Sequence, residues 1–251
     1  MHFHVPKPLH GWREFAGEVG IIVIGILIAL GAEQVVEAGH ERRIAGETRR
    51  ALTEELNSAL TSLSMRQRAE GCIGKRLSDL HALMDRWGET GTFKTPTWVA
   101  QAPSLNVTLT RYDAAVSAGR LAQLPPREQF EMGSIASGLR AFGEGEDRER
   151  VVWSRLRALQ SGPRALSSTD RTALRMELQD ASELDYHARL LLRQLLPKAA
   201  EWGYRPDMRE FQRIVRSIWK TGRYTPAICA AIDTPVEDAN RLTGQVTPLP
   251  Q

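Results

Sequence analysis

Val19-Gly-Ile-Ile-Val-Ile-Gly-Ile-Leu-Ile-Ala-Leu-Gly-Ala32 is the stretch on which the reading of this chain turns. It holds only Ile, Val, Leu, Gly and Ala, with no charge and no hydrogen-bonding side chain. As a helix it covers about 21 Å of a hydrocarbon layer roughly 30 Å thick. Extension to Phe15 and Val36 brings in Glu18, Glu33 and Gln34 near the two ends, where long side chains reach the headgroups, and completes a span. Trp12 stands where an indole favours the interface, and Lys7 and Arg13 supply a positive flank. A cleaved signal peptide is the competing reading, with Ala29 and Gly31 at a cleavage-like spacing. The helical pattern continuing through Glu33, Val35 and Val36 favours an uncleaved anchor. A soluble core helix is a third reading, and this composition would then need burial on every side.

Gly25, Ala29 and Ala32 share one face of the anchor at small-residue spacing, which lets a second helix approach closely and makes self-association the expectation there. Flanking charge leaves orientation open. Arg42, Arg43, Arg49 and Arg50 outnumber Lys7 and Arg13 and favour a cytoplasmic C-terminal region, whereas long domains cross largely regardless of such charges. Cys72 and Cys229 bear on the same question. In a periplasmic domain they can pair across a long loop; in a cytoplasmic one they are small core residues. The expectation adopted is a single-pass inner-membrane protein with a periplasmic C-terminal domain and a Cys72–Cys229 bridge.

Behind the anchor no proline occurs between Leu9 and Pro96. Leu52, Leu56, Leu60 and Leu63, then Ile73, Leu77, Leu80, Met84 and Trp87, form two apolar stripes at helical spacing, with Gly71 and Gly74 as an expected interruption. The turn-rich run from Gly88 to Pro103 predicts an exposed loop. Further helices are expected over Ser104–Leu121 with Gly119 as its cap, from Pro126 to about Leu159 with a break at Gly143–Glu146, from a Ser167, Ser168 or Thr169 cap to Pro197, and over Asp207–Lys220. The fold class is therefore all-α: an N-terminal transmembrane helix continuing into a helical bundle. The expected divisions are a tail at 1–14, an anchor at 15–36, a bundle at 37–233 and a proline-containing tail at 234–251.

Two stretches carry a resemblance. Gly17-Glu18-Val19 through Ile24-Gly25-Ile26-Leu27-Ile28-Ala29-Leu30, and Tyr112-Asp113-Ala114-Ala115-Val116-Ser117-Ala118-Gly119-Arg120-Leu121, resemble the anchor and the small-Gly-x-Leu signature of a family of uncharacterised bacterial single-span membrane proteins. Gly31, Ala32, Glu33 and Gln34 depart from that family's usual continuation, as a divergent branch would. The resemblance implies a helical domain behind an uncleaved inner-membrane anchor and implies no activity.

Composition and motifs narrow the function classes. The chain has 251 residues, 42% hydrophobic and 25% charged, as in ordinary folded proteins, and 33 Lys+Arg against 30 Asp+Glu leave a net charge of only +3. That balance gives no case for nucleic-acid binding. Ser217-Ile-Trp-Lys220-Thr-Gly222 overlaps two penicillin-binding motifs on one lysine, although those enzymes need distinct lysines. Gly71-Cys-Ile-Gly-Lys75 is too short for a phosphate loop and lacks the metal-binding hydroxyl. Asp180, Glu183 and His187 lie on one helical face and could supply ligands or an acid-base group, a solvated or hydrogen-bonded face being the simpler reading. Arg209, Arg213, Arg216, Lys220 and Arg223 form a basic stripe opposite Phe211, Ile214, Val215, Ile218 and Trp219, suited to anionic lipid or an acidic partner as well as to a solvated bundle face. The expectation is a membrane-anchored helical interaction protein without cofactor or metal, partnered by the membrane and by a second copy or another membrane protein. The alternatives are an enzyme using the Asp180, Glu183 and His187 face, or an accessory subunit of a larger membrane complex.

Overall fold

The structure, a computed structural model, describes residues 11–103, 107–209, 211–213 and 227–235. The chain divides into two units, Met1–Arg50 and Ala51–Gln251. Every regular element among the described residues is helical: α1 (Trp12–Thr90), α2 (Thr110–Ser117), α3 (Pro126–Leu156) and α4 (Ser168–Glu201), with short 3₁₀ turns at Leu121–Gln123, Arg157–Ser161, Pro163–Ala165 and Ala227–Cys229. The fold is all-α.

In the first unit α1 carries the apolar run. Its most apolar window has a mean hydropathy of 2.3, none of that window is buried, and the helix is long and apolar enough to cross a membrane. Ile21, Ile22, Ile26, Leu27 and Ile28 are each more than half exposed.

The second unit is built on the rest of α1 with α3 and α4. Leu52, Leu56, Ala59, Leu63, Arg66, Glu70, Ile73, Leu77, Leu80, Met84 and Trp87 recur at alternating steps of four and three, the spacing that keeps one seam of a helix facing its neighbours. In α3 the same alternation links Met132, Ile135, Leu139, Phe142, Glu146, Glu149, Trp153 and Leu156; in α4 it links Leu174, Leu178, Ala181, Asp185, Ala188, Leu192, Leu195 and Ala199. Most of these side chains are buried. The helix α4 runs opposite to α1, as Arg66 meets Asp185 and Arg175 donates to the Met84 carbonyl. It also runs opposite to α3, as Leu195 packs on Gly138 and Arg155 meets Glu177. At Gly138 a Cβ would come within 2.8 Å of Leu195 Cδ2, so this glycine sets how closely α3 and α4 approach.

Several expected boundaries shift. Gly71 and Gly74 do not interrupt α1, because burial of Ala69, Ile73 and Leu77 on the opposite face offsets the roughly 1 kcal/mol each glycine costs. Gly143 to Glu146 likewise leave α3 unbroken, and α3 ends at Leu156 in a 3₁₀ turn. Of the helix expected over Ser104–Leu121, the described residues are α-helical at Thr110–Ser117, and Leu121 opens a 3₁₀ turn. Pro126 does occupy the first turn of α3, and Ser167 caps α4 in a reciprocal capping box with Asp170. The Ser167 amide and hydroxyl both donate to Asp170 Oδ2 at 2.7 Å, and these bonds hold the Asp170 carboxyl below its ordinary range. Pro197 falls inside α4, one turn before its end, and the helix continues past it without the bond to the Arg193 carbonyl that a residue with an N–H would make.

Candidate functional site

The seam that packs the second unit is interrupted by charge. Arg66 is 1% exposed and Asp185 0%, and Glu149 is also buried. Arg66 Nη2 donates to Glu149 Oε1 at 2.9 Å and to Asp185 Oδ1 at 3.1 Å, so one nitrogen of α1 ties α3 to α4. Trp153 Nε1, one turn along α3, donates to the same Glu149 oxygen at 3.3 Å. Arg189 Nε lies 3.1 Å from Asp185 Oδ2 as an ion pair without hydrogen-bond geometry. Two carboxylates thus share one buried guanidinium, while Arg66 Nε and Nη1 and Glu70 Oε1 are buried without a hydrogen-bond partner among the described residues. Loss of hydration raises the Glu149 carboxyl above its ordinary value, and Asp185 adds to this; Arg66 and the Trp153 indole pull the other way without cancelling it. In any other register of the three helices these charged side chains would be buried without their partners, which is costly.

Ten residues further along α1, Arg76 is also 1% exposed but meets carbonyls in place of carboxylates. Its Nη1 donates to Trp98 O at 2.5 Å and to Val99 O at 2.6 Å, and its Nη2 donates to Ile228 O at 3.4 Å and to Ala230 O. Burial lowers its pKa against the opposing pull of Asp79, yet a guanidinium stays charged in proteins. One turn earlier, Cys72 Sγ is bonded to Cys229 Sγ at 2.01 Å across a separation of 157 residues. Cys72 and Arg76 therefore fasten the 227–235 segment and the 91–103 loop to one helix. Trp98 N donates to Ile232 O at 3.0 Å, and Thr97 Oγ1 donates to Thr234 O at 3.0 Å, which completes the junction.

The Tyr112–Leu121 signature has a structural explanation. The N-terminus of α2 lacks a cap of its own, and Glu55 of α1 accepts the Arg111 and Tyr112 amides at 2.8 Å each. Tyr112 is buried, its hydroxyl beside Gly133, and burial raises its phenol above the ordinary value. Arg140 sits 5.4 Å from the centroid of that ring and pairs with Asp113. Gly119, at φ +67°, ends the helix in a Schellman cap, with Arg120 N donating to Ala115 O and Gly119 N to Val116 O.

The remaining sequence candidates are dispersed. Gly25, Ala29 and Ala32 are exposed on α1 in the first unit. Asp180, Glu183 and His187 are exposed on α4, where the His187 ring stacks edge-on to Tyr186 at 5.7 Å. Among the described residues no group of three or more His, Cys, Asp or Glu is arranged to hold a metal ion. Glu37 and His40, three residues apart on α1, are both exposed. Arg209 and Arg213 are exposed beside buried Phe211, while Arg216, Lys220, Arg223 and the Ser217–Gly222 motifs lie outside the described residues.

Sequence reasoning passed over Arg66, Glu149 and Asp185. The signal was present: each occupies a four-three position on a stripe that is otherwise mostly apolar, broken by Arg66 and Glu70 in α1, Glu146 and Glu149 in α3 and Asp185 in α4, a pattern visible when all three helices are read at strict heptad spacing. Comparison with protein-family models, with curated proteins and with solved structures finds no match for this chain.

Proposed function

We propose that this chain is a single-pass, membrane-anchored helical interaction protein that holds its bundle at the surface of a bacterial inner membrane, with the bundle on the periplasmic side. The observation that carries the reading is the contrast along α1: the residues of the apolar run are exposed, whereas its heptad positions from Leu52 to Trp87 are closed into a core. An exposed apolar run of that length is stable only when lipid or another apolar surface covers it. The Cys72–Cys229 bond supports an oxidising compartment, since such bridges persist in the periplasm and are reduced in the cytosol. The small-residue face at Gly25, Ala29 and Ala32 supports a second copy or another span as the partner within the membrane.

The test has two readouts. Membrane-impermeant thiol labelling of intact cells, with and without a reductant, should find Cys72 and Cys229 blocked until the reductant is added. Native mass spectrometry of the full chain in mild detergent should show a dimer or a fixed heteromeric assembly. Free thiols shielded from the reagent in intact cells would reverse the orientation, and a solitary chain over the whole concentration range would end the interaction role.

A further inference from the structure

A cavity of about 300 Å³ opens between one face of α1, the loop after it and the segment fastened by Cys229. Its apolar wall is Leu83 of α1, Phe93 and Pro96 of the loop, and Ile232 of the fastened segment. Phe93 is almost fully buried and packs edge-on against Trp87 at 5.0 Å, so that wall is fixed by the core. Ion pairs account for most of the charge around the mouth: Lys75 Nζ bonds Asp79 Oδ2 at 2.8 Å, and Lys94 Nζ lies 3.8 Å from Asp233 Oδ2. Arg86, which also lines the cavity, has no acidic partner among the described residues. Three cations against two carboxylates leave the lining with one uncompensated positive charge, and that charge sits on a guanidinium, the group best shaped to accept a carboxylate or phosphate in two parallel hydrogen bonds.

We infer that this cavity is a binding site for a small organic monoanion with an apolar, preferably aromatic, body. The volume is at the small end of ligand pockets, and the lining is mixed, with apolar side chains that supply contact area beside charged groups that fix orientation. The anionic head of the ligand pairs with Arg86, and its body rests on Leu83, Phe93, Pro96 and Ile232. Because Ile232 belongs to the segment fastened through Cys229 and Arg76, the same junction that closes the core also completes the site. The inference goes beyond the proposed anchoring role and is independent of it, since every residue invoked lies in the second unit.

The probe is 4-fluorobenzoate, observed by ¹⁹F NMR with the full chain in nanodiscs and with empty nanodiscs as reference. Saturable binding above the empty nanodisc signal is expected, with 4-fluorobenzylammonium binding at least tenfold more weakly. Arg86→Glu should weaken fluorobenzoate at least tenfold, and Arg86→Lys, which keeps the charge but loses the paired hydrogen bonds, should bind more weakly than the parent and more tightly than Arg86→Glu. Arg86 is exposed, so both variants are expected to keep the helical circular dichroism and melting profile of the parent, which is checked alongside. Absence of saturable binding, equal affinity for the ammonium probe, or unchanged affinity in a folded Arg86→Glu variant would each overturn the site.

Discussion

Glu149 is held where its charge is costly. Its raised pKa means that between about pH 4.5, the unfolded value, and the folded value the native state binds more protons than the unfolded one. Stability contributed by the neutral carboxyl is therefore fully present below the unfolded pKa and is lost as pH rises through the folded pKa. Urea titrations of the parent and Glu149→Gln across this range should show the parent losing stability relative to the variant as pH increases. A constant difference between the two would remove the assignment. Arg66 presents the complementary case. Arg66→Met strands two buried carboxylates and should cost about 3–5 kcal/mol, while replacing Arg66, Glu149 and Asp185 together by apolar residues of similar volume should recover most or all of that loss. Chemical denaturation of the single and triple variants checks both values, and a triple variant no more stable than Arg66→Met would show that the layer contributes more than mutual neutralisation.

At the scale of elements, what was legible in the sequence follows from which signals are local. Pro126 at the first turn of α3, Ser167 before α4 and Gly119 after α2 each act within a few residues, and each does what its local chemistry dictates. The glycines at 71, 74 and 143 were misleading for the opposite reason: their cost is local, but the burial that outweighs it comes from other helices. Glu55 was invisible as a cap because it serves a helix more than fifty residues away. Arg76 was invisible because its partners are backbone carbonyls, which no side-chain pattern announces. The element most dependent on distant partners is the 227–235 segment. Closing a loop of 157 residues, the Cys72–Cys229 bond should contribute about 5 kcal/mol in the chain-entropy model. Reduction, or Cys229→Ser, should lower the denaturation midpoint accordingly, and hydrogen exchange should accelerate first at Trp98, whose amide bonds Ile232. An unchanged midpoint after verified reduction would show that the Arg76 contacts alone retain the segment.

At the scale of the whole molecule, the all-α class and the apolar N-terminal helix were both legible, because heptad spacing and a run of branched hydrophobes are properties of the chain itself. The candidate site was not. The exposed Asp180, Glu183 and His187 face drew the eye because its residue types are chemically suggestive, whereas the charges that the fold gathers, Arg66, Glu149 and Asp185, come from three separate stretches and stand two turns or less from leucines. The exposed apolar run of α1 is the feature on which the proposed membrane anchor rests, since lipid would cover it. Alkaline carbonate extraction of membranes from cells expressing the full chain tests this most directly. The membrane-anchored reading predicts that the chain stays in the pellet through carbonate and is released by detergent; appearance of the intact chain in the carbonate supernatant would contradict it.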